Sequence, residues 1–178
     1  NSTGDSTVSK IFVDKIETKS GGSLDVSANE LVMPAGHIVQ TTTMVAVNDV
    51  QVAGSNSSSN TLIGNGVICS ITPKMANSKI RTCLSYYVFI TAGTAVNIFM
   101  GRSVAGGSYD YVNSGKNQNR FEGQWSNAIL DIIDTPTYTL GQSISYQPYW
   151  YTSNTSNTMY FGMGSGGAIT FYLQEIAQ

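Results

Sequence analysis

Charge is scarce in this sequence. Lys, Arg, Asp and Glu make up 11% of its 178 residues, where an average globular protein carries roughly a quarter. The 9 basic and 11 acidic residues leave a formal net charge of −2 and are scattered without runs. That argues against a basic footprint for nucleic acid or for anionic membrane. One histidine, two cysteines and sparse carboxylates give none of the usual zinc or calcium ligand spacings. No apolar run approaches the ~20 residues of a membrane-spanning helix, so membrane insertion is not expected. No segment holds a convincing 3.6-residue period over a helix-length stretch. The chain begins at Asn1 rather than Met, with no basic-then-apolar leader, and reads as a piece of a longer polypeptide or a processed product.

What is present points to β structure. Ser, Thr and Asn supply most of the polarity, beside 18 Gly and 10 Tyr. These small polar groups favour turns and tolerate extended backbone, while Val, Ile, Thr and Tyr suit a pleated surface. Residues 1–9 read as a flexible leader and 10–35 as short apolar-alternating pieces broken at Gly21-Gly22. This lead-in cannot bury enough surface alone and must lean on the main body or on copies of itself. Residues 1–35 are therefore expected as leader and lead-in, and 36–178 as a head domain. Met33-Pro34-Ala35-Gly36 reads as a turn with Pro34 second and Gly36 fourth.

Strands are expected at 38–47, 61–72, 80–91, 95–102, 128–134, 137–147, 157–163 and 168–176. The clearest is 80–91, with Ile80, Leu84, Tyr86, Val88 and Ile90 on one side and Arg81, Ser85, Tyr87 and Thr91 on the other. In 137–147, Tyr138, Leu140, Ile144 and Tyr146 alternate with Thr139, Ser143 and Ser145. The segment 126–134 is the nearest approach to a helix, and its Ile/Leu density suits a buried strand as well. A Gly-rich turn at Gly164–Gly167 marks a hairpin. About eight strands with frequent turns indicate an all-β antiparallel sandwich, jelly-roll-like. Two long polar connections remain, 48–60 and 103–127, and loops of such length commonly bind something or are disordered.

The catalytic inventory is thin. His37 has no partner motif, and no Gly-x-Ser-x-Gly elbow accompanies it. Among Asp110, Glu122, Asp131, Asp134 and Glu175 no spacing selects an acid pair, and Asp131 and Asp134 read as turn formers at a strand end. Gly162–Gly167 lacks the Lys and the helix of a phosphate loop. The chain reads as a non-enzyme without cofactor or metal. Cys69 and Cys83 lie in strand patterns, as buried free thiols or as a cross-strand disulfide.

Recognition chemistry remains. The loop after Ser108 carries Tyr109, Asp110, Tyr111, Asn113, Asn117, Asn119, Arg120 and Trp125. Aromatic faces stack on the C–H patches of sugars while Asn, Asp and Arg bond their hydroxyls, so these eight residues are the candidate ligand site. A second cluster, Tyr146, Tyr149, Trp150 and Tyr151 beside Asn154, either shares that role or fills the core or a subunit interface.

Several stretches carry a family resemblance. They are Val13-Asp14-Lys15-Ile16 with Gly21-Gly22; Val32-Met33-Pro34-Ala35-Gly36-His37-Ile38-Val39-Gln40; Ser70-Ile71-Thr72-Pro73-Lys74 with Asn77-Ser78-Lys79-Ile80; Leu130-Asp131-Ile132-Ile133-Asp134-Thr135-Pro136; and Leu173-Gln174-Glu175-Ile176-Ala177. Together they resemble the C-terminal domains of tail-fibre-like proteins of marine bacteriophages, especially those infecting cyanobacteria. The Pro-Ala-Gly-His turn and the Thr-Pro-Lys…Ser-Lys-Ile segment are the most specific parts; residues 81–127 depart from the pattern. The resemblance implies a homotrimeric β head behind a thin shaft, on a virion, touching the host surface. It brings no catalytic or metal residue. The expected function is a phage tail or head fibre domain binding host-surface polysaccharide. The competing expectation is a capsid decoration or connector that meets only other virion proteins.

Overall fold

The computed structural model describes residues 34–46, 61–62, 67–90, 94–112, 117–121, 125–152, 159–161 and 169–178. All belong to the second of the two units into which the chain divides, Met33–Gln178. The leader and most of the lead-in, the connection 48–60, Asn113, Asn154 and the turn at Gly164–Gly167 lie outside the described residues.

Eleven strands occur among the described residues: β1 (Ile38–Ala46), β2 (Thr61–Leu62), β3 (Cys69–Ile71), β4 (Lys79–Ile90), β5 (Thr94–Val104), β6 (Asp110–Tyr111), β7 (Asn117–Phe121), β8 (Ser126–Asp134), β9 (Ile144–Thr152), β10 (Met159–Phe161) and β11 (Ile169–Ile176). Every pairing is antiparallel. Three pairs lie end to end along a shared neighbour: β2 and β3 along β9, β6 and β7 along β5, β10 and β11 along β4. Each sheet is thus four positions wide. One (sheet A) runs β1, β10/β11, β4, β8, and the other (sheet B) runs β2/β3, β9, β5, β6/β7. This interleaving of early and late strands is the jelly-roll order.

Period-two alternation builds the core between the sheets. Ile80, Leu84, Tyr86 and Val88 of β4, Leu130 of β8, and Phe171 and Leu173 of β11 meet Ile98 and Met100 of β5 and Ile144, Tyr146 and Trp150 of β9. The alternation expected in 80–91 therefore holds wherever those side chains are described. Asp134 enters this layer with partners, whereas Thr82 Oγ1 and Trp150 Nε1 lie buried in it without a hydrogen-bond partner among the described residues. Arg102 donates to both Asp134 oxygens at 2.9 and 3.0 Å, and Tyr146 Oη donates to Asp134 Oδ2 at 2.7 Å. Burial and the adjacent Asp134 carboxylate push the Tyr146 phenol far above its ordinary range, which keeps it a donor.

One end of the sandwich is tied by Glu175, which is fully buried. Its carboxylate accepts from the Lys74 and Met75 backbone N–H groups, Ser78 Oγ and Gln40 Nε2, at 2.7–3.0 Å. Tyr138 Oη donates to Met75 O and accepts from Ser78 N. Gly36 N donates to Ala177 O, and Ala177 N to His37 O. The Pro-Ala-Gly-His, Thr-Pro-Lys…Ser-Lys-Ile and Leu-Gln-Glu-Ile-Ala segments are thus one hydrogen-bonded base.

The structure corrects five local expectations. The turn is Pro34-Ala35-Gly36-His37, closed by His37 N to Pro34 O at 3.2 Å; Gly36 holds the third position at φ 88°, where a type II turn needs positive φ. The stretch 137–143 is not strand: Gly141 turns at φ 90° and Leu140 is exposed. The connection 103–127 contains β6 and β7, because the open side of β5 supplies backbone partners that outweigh the weak strand propensity of Asn and Gln. Segment 126–134 pairs on one side only among the described residues, as an edge strand rather than a buried one, and its outer side chains stand in the open. Asp131 and Asp134 form no turn: they point to opposite faces of β8 and each pairs with an arginine. Cys69 and Cys83 are both buried free thiols.

Candidate functional site

The outer face of sheet B is built by the residues that alternate with the core. Along β5 these are Asn97, Phe99, Gly101 and Ser103, and along β9 Ser145, Gln147 and Tyr149. Register places Phe99 opposite Tyr149 and Gly101 opposite Gln147, with Tyr111 of β6 on the other side of Gly101. The return from β5 is tightly held. Gly107 N donates to Val104 O, Ser103 Oγ donates to Gly107 O at 2.6 Å, and Val112 N donates to Met100 O. Ala105 (φ 51°) and Gly106 (φ 75°) make the reversal.

Four rings gather over this face. Tyr111 meets Tyr149 edge-on, centroids 5.5 Å apart at 86°; Tyr109 meets Tyr149 at 6.2 Å and 62°; Phe99 meets Tyr111 at 5.8 Å and 50°. Such crossed contacts are the favoured geometry of aromatic quadrupoles. Gly101 makes room for them, since a β-carbon there would lie 2.5 Å from Tyr149 Cε2. Tyr111 is 47% exposed. Gln147, itself buried, donates from Nε2 to Tyr149 Oη and fixes that ring's tip. Asn97 is also buried, and its Oδ1 has no hydrogen-bond partner among the described residues. Burial and the neighbouring Tyr149 raise the Tyr109 phenol above its ordinary value, so it remains a neutral donor. The result is an uncharged shelf of ring faces and hydroxyl tips, chemically matched to a polyol.

Of the eight residues expected in the site, Tyr109 and Tyr111 come together here. Asp110 sits between them, exposed, opposite Arg102. Asn117, Asn119 and Arg120 stand in β7 opposite Ile98, Val96 and Ala95; their side chains and all of Asn113 lie outside the description. Trp125 belongs to the other side of the sandwich. It stacks on Tyr87 at 4.9 Å and 8°, beside Phe89 and Tyr160, on the outer face of sheet A. The second aromatic cluster splits by alternation: Tyr146 and Trp150 fill the core, and Tyr149 joins the shelf. Phe99, Gly101 and Gln147 went unforeseen. The available signal was Phe99 at an outward position in an otherwise regular alternation.

No protein-family model matches the chain, and no curated protein sequence matches it. Among solved structures it is similar to the CBM22-1 xylan-binding domain of Xyn10C from Paenibacillus barcinonensis, at 16% identity over 83% of this chain and 99% of that one, TM-score 0.38. It is also similar to a chain in the structure of infectious bursal disease virus Gx strain, at 8% identity over 88% of this chain and 46% of that one, TM-score 0.42. A CBM4 structure matches at 12% identity over 76% of this chain and 92% of that one, TM-score 0.28.

Proposed function

We propose that this chain is a non-catalytic domain of a virion surface appendage, a phage tail or head fibre, that binds host-surface polysaccharide on the outer face of sheet B. The observation that carries the reading is the ring shelf of Tyr109, Tyr111 and Tyr149 around Gly101. Flat amphipathic rings suit the C–H faces of sugars, and Tyr hydroxyls and amides suit their oxygens. The tail-fibre resemblance supports the setting. Repeated copies on one particle convert weak single sites into strong attachment. The test is a glycan array, together with adhesion to host cells, at high display density. Retention that falls when Tyr111 and Tyr149 are both replaced by Ala supports the proposal; no retention by the parent chain at any density overturns it.

The alternative is a decoration or connector that meets only virion proteins, favoured by the isoleucines exposed on sheet A. It requires the Tyr111–Tyr149 shelf to be covered by neighbouring protein in the assembled particle.

A further inference from the structure

The described rings over sheet B face in different directions. Tyr111 crosses Tyr149 at 86°, Tyr109 crosses Tyr149 at 62°, and Phe99 crosses Tyr111 at 50°. A sugar stacks by laying a C–H face flat against a ring face. For a straight chain to stack several successive units, several ring faces must share one plane. Where neighbouring rings are turned by 50° or more, such a chain lies flat on one of them at a time. Exposure picks out that ring. Phe99 is buried, Tyr109 and Tyr149 are half-buried, and Tyr111 is 47% exposed. Its place in the sheet agrees. Tyr111 ends β6, a two-residue strand that pairs only with β5 among the described residues, so the open ring stands at a rim. The Tyr149 hydroxyl beside it is directed as well. Buried Gln147 donates to Tyr149 Oη, which occupies an acceptor position on that oxygen and leaves its own proton to be donated.

We infer that the shelf reads one chain-end sugar, the terminal unit of a polysaccharide or of its side branch, stacked on Tyr111 with Tyr149 Oη at its edge. The inference rests on the proposal that sheet B holds host-surface polysaccharide, and it narrows the ligand class. A terminal sugar differs from a mid-chain one by a free hydroxyl where the next glycosidic bond would be. That hydroxyl is the group a fixed phenolic donor can read beside a single stacked unit. Polymers anchored to a cell turn their unattached ends outward, so the preferred unit is also the one first met. A single stacked unit gives weak binding, which repeated copies on one particle offset.

Stoichiometry tests it. Host-surface polysaccharide is separated by length, its free ends are counted by end-group analysis, and each fraction is titrated calorimetrically with the full chain. The number of protein chains bound per polysaccharide molecule is expected to equal its free ends and not to grow with backbone length. Affinity per end is expected to stay within about 2-fold across the fractions, because each further ring engaged would multiply it roughly 2- to 12-fold. Tyr111→Ala is expected to weaken binding by that same 2- to 12-fold factor at every length. Stoichiometry proportional to length, or parent-like binding by a folded Tyr111→Ala chain, overturns the inference and leaves polysaccharide binding in place. If that variant does not fold, the stoichiometry of the parent decides alone. A parent chain that binds no fraction overturns the polysaccharide proposal itself, and this inference with it.

Discussion

The ring of Tyr149 lies so close over Gly101 that a β-carbon on the glycine would stand 2.5 Å from Tyr149 Cε2 and 3.4 Å from Tyr109 Cδ1. Gly101 is buried in mid-strand and pairs on both sides. Its lack of a side chain is therefore a packing requirement of the shelf rather than of a turn.

Gly101→Ala should displace the Tyr149 ring while keeping the sheets. The expected outcome is a stability loss of about 1–3 kcal/mol from overpacking and a clear weakening of polysaccharide binding. Chemical denaturation and a binding titration of the same variant check both. Parent-like binding would show that the ring position is immaterial.

Glu175→Gln should be among the most damaging polar substitutions in the chain. The buried carboxylate accepts from four donor residues, and an amide presents N–H groups to some of those same donors. Breaking a buried charged network of this kind costs about 3 kcal/mol. Urea unfolding should show it as a lower midpoint with an unchanged slope.

The two thiols should label only on unfolding. Without reductant, denatured chain is expected to take up alkylating reagent at both Cys69 and Cys83, and native chain at neither within the same time. Burial pushes the Cys69 thiol up from 9.0 to about 11. The fold thus favours the protonated form, and its contribution is fully present below pH 9 and lost as pH rises through about 11. Native labelling of Cys69 should climb only in that alkaline window. Mass spectrometry reads every step, and two unlabelled cysteines in the denatured chain would reveal a disulfide instead.

Local alternation made β4, β5 and β11 legible, because a half-buried ribbon writes its two faces into every second residue. It could not reveal which outer face a side chain joins. Tyr149 reaches Tyr109 and Tyr111 only because β9 lies beside β5, and Trp125 leaves them because β8 closes the other sheet. Both facts come from pairings distant in sequence. Strand β7 was hidden by its polar composition, and the exposure of Ile129 and Ile133 by the usual assumption that dense Ile and Leu mark a buried strand. The family-like segments at Pro34–Gln40, Ser70–Ile80 and Leu173–Ala177 prove to be the hydrogen-bonded base around Glu175. They account for how the head closes, while the shelf falls mainly in the stretch 81–127, where the resemblance lapses.

The most direct measurement is surface-plasmon titration of the chain over immobilised host-surface polysaccharide, comparing the parent, Trp125→Ala, and Tyr111→Ala with Tyr149→Ala. Removing two stacking rings is worth about 1–3 kcal/mol, or roughly 5- to 150-fold in affinity. The double tyrosine variant should lose that much, and Trp125→Ala, on the opposite sheet, should bind like the parent. Full binding by the tyrosine variant, with loss on replacing Trp125, would place the ligand on sheet A and contradict the account.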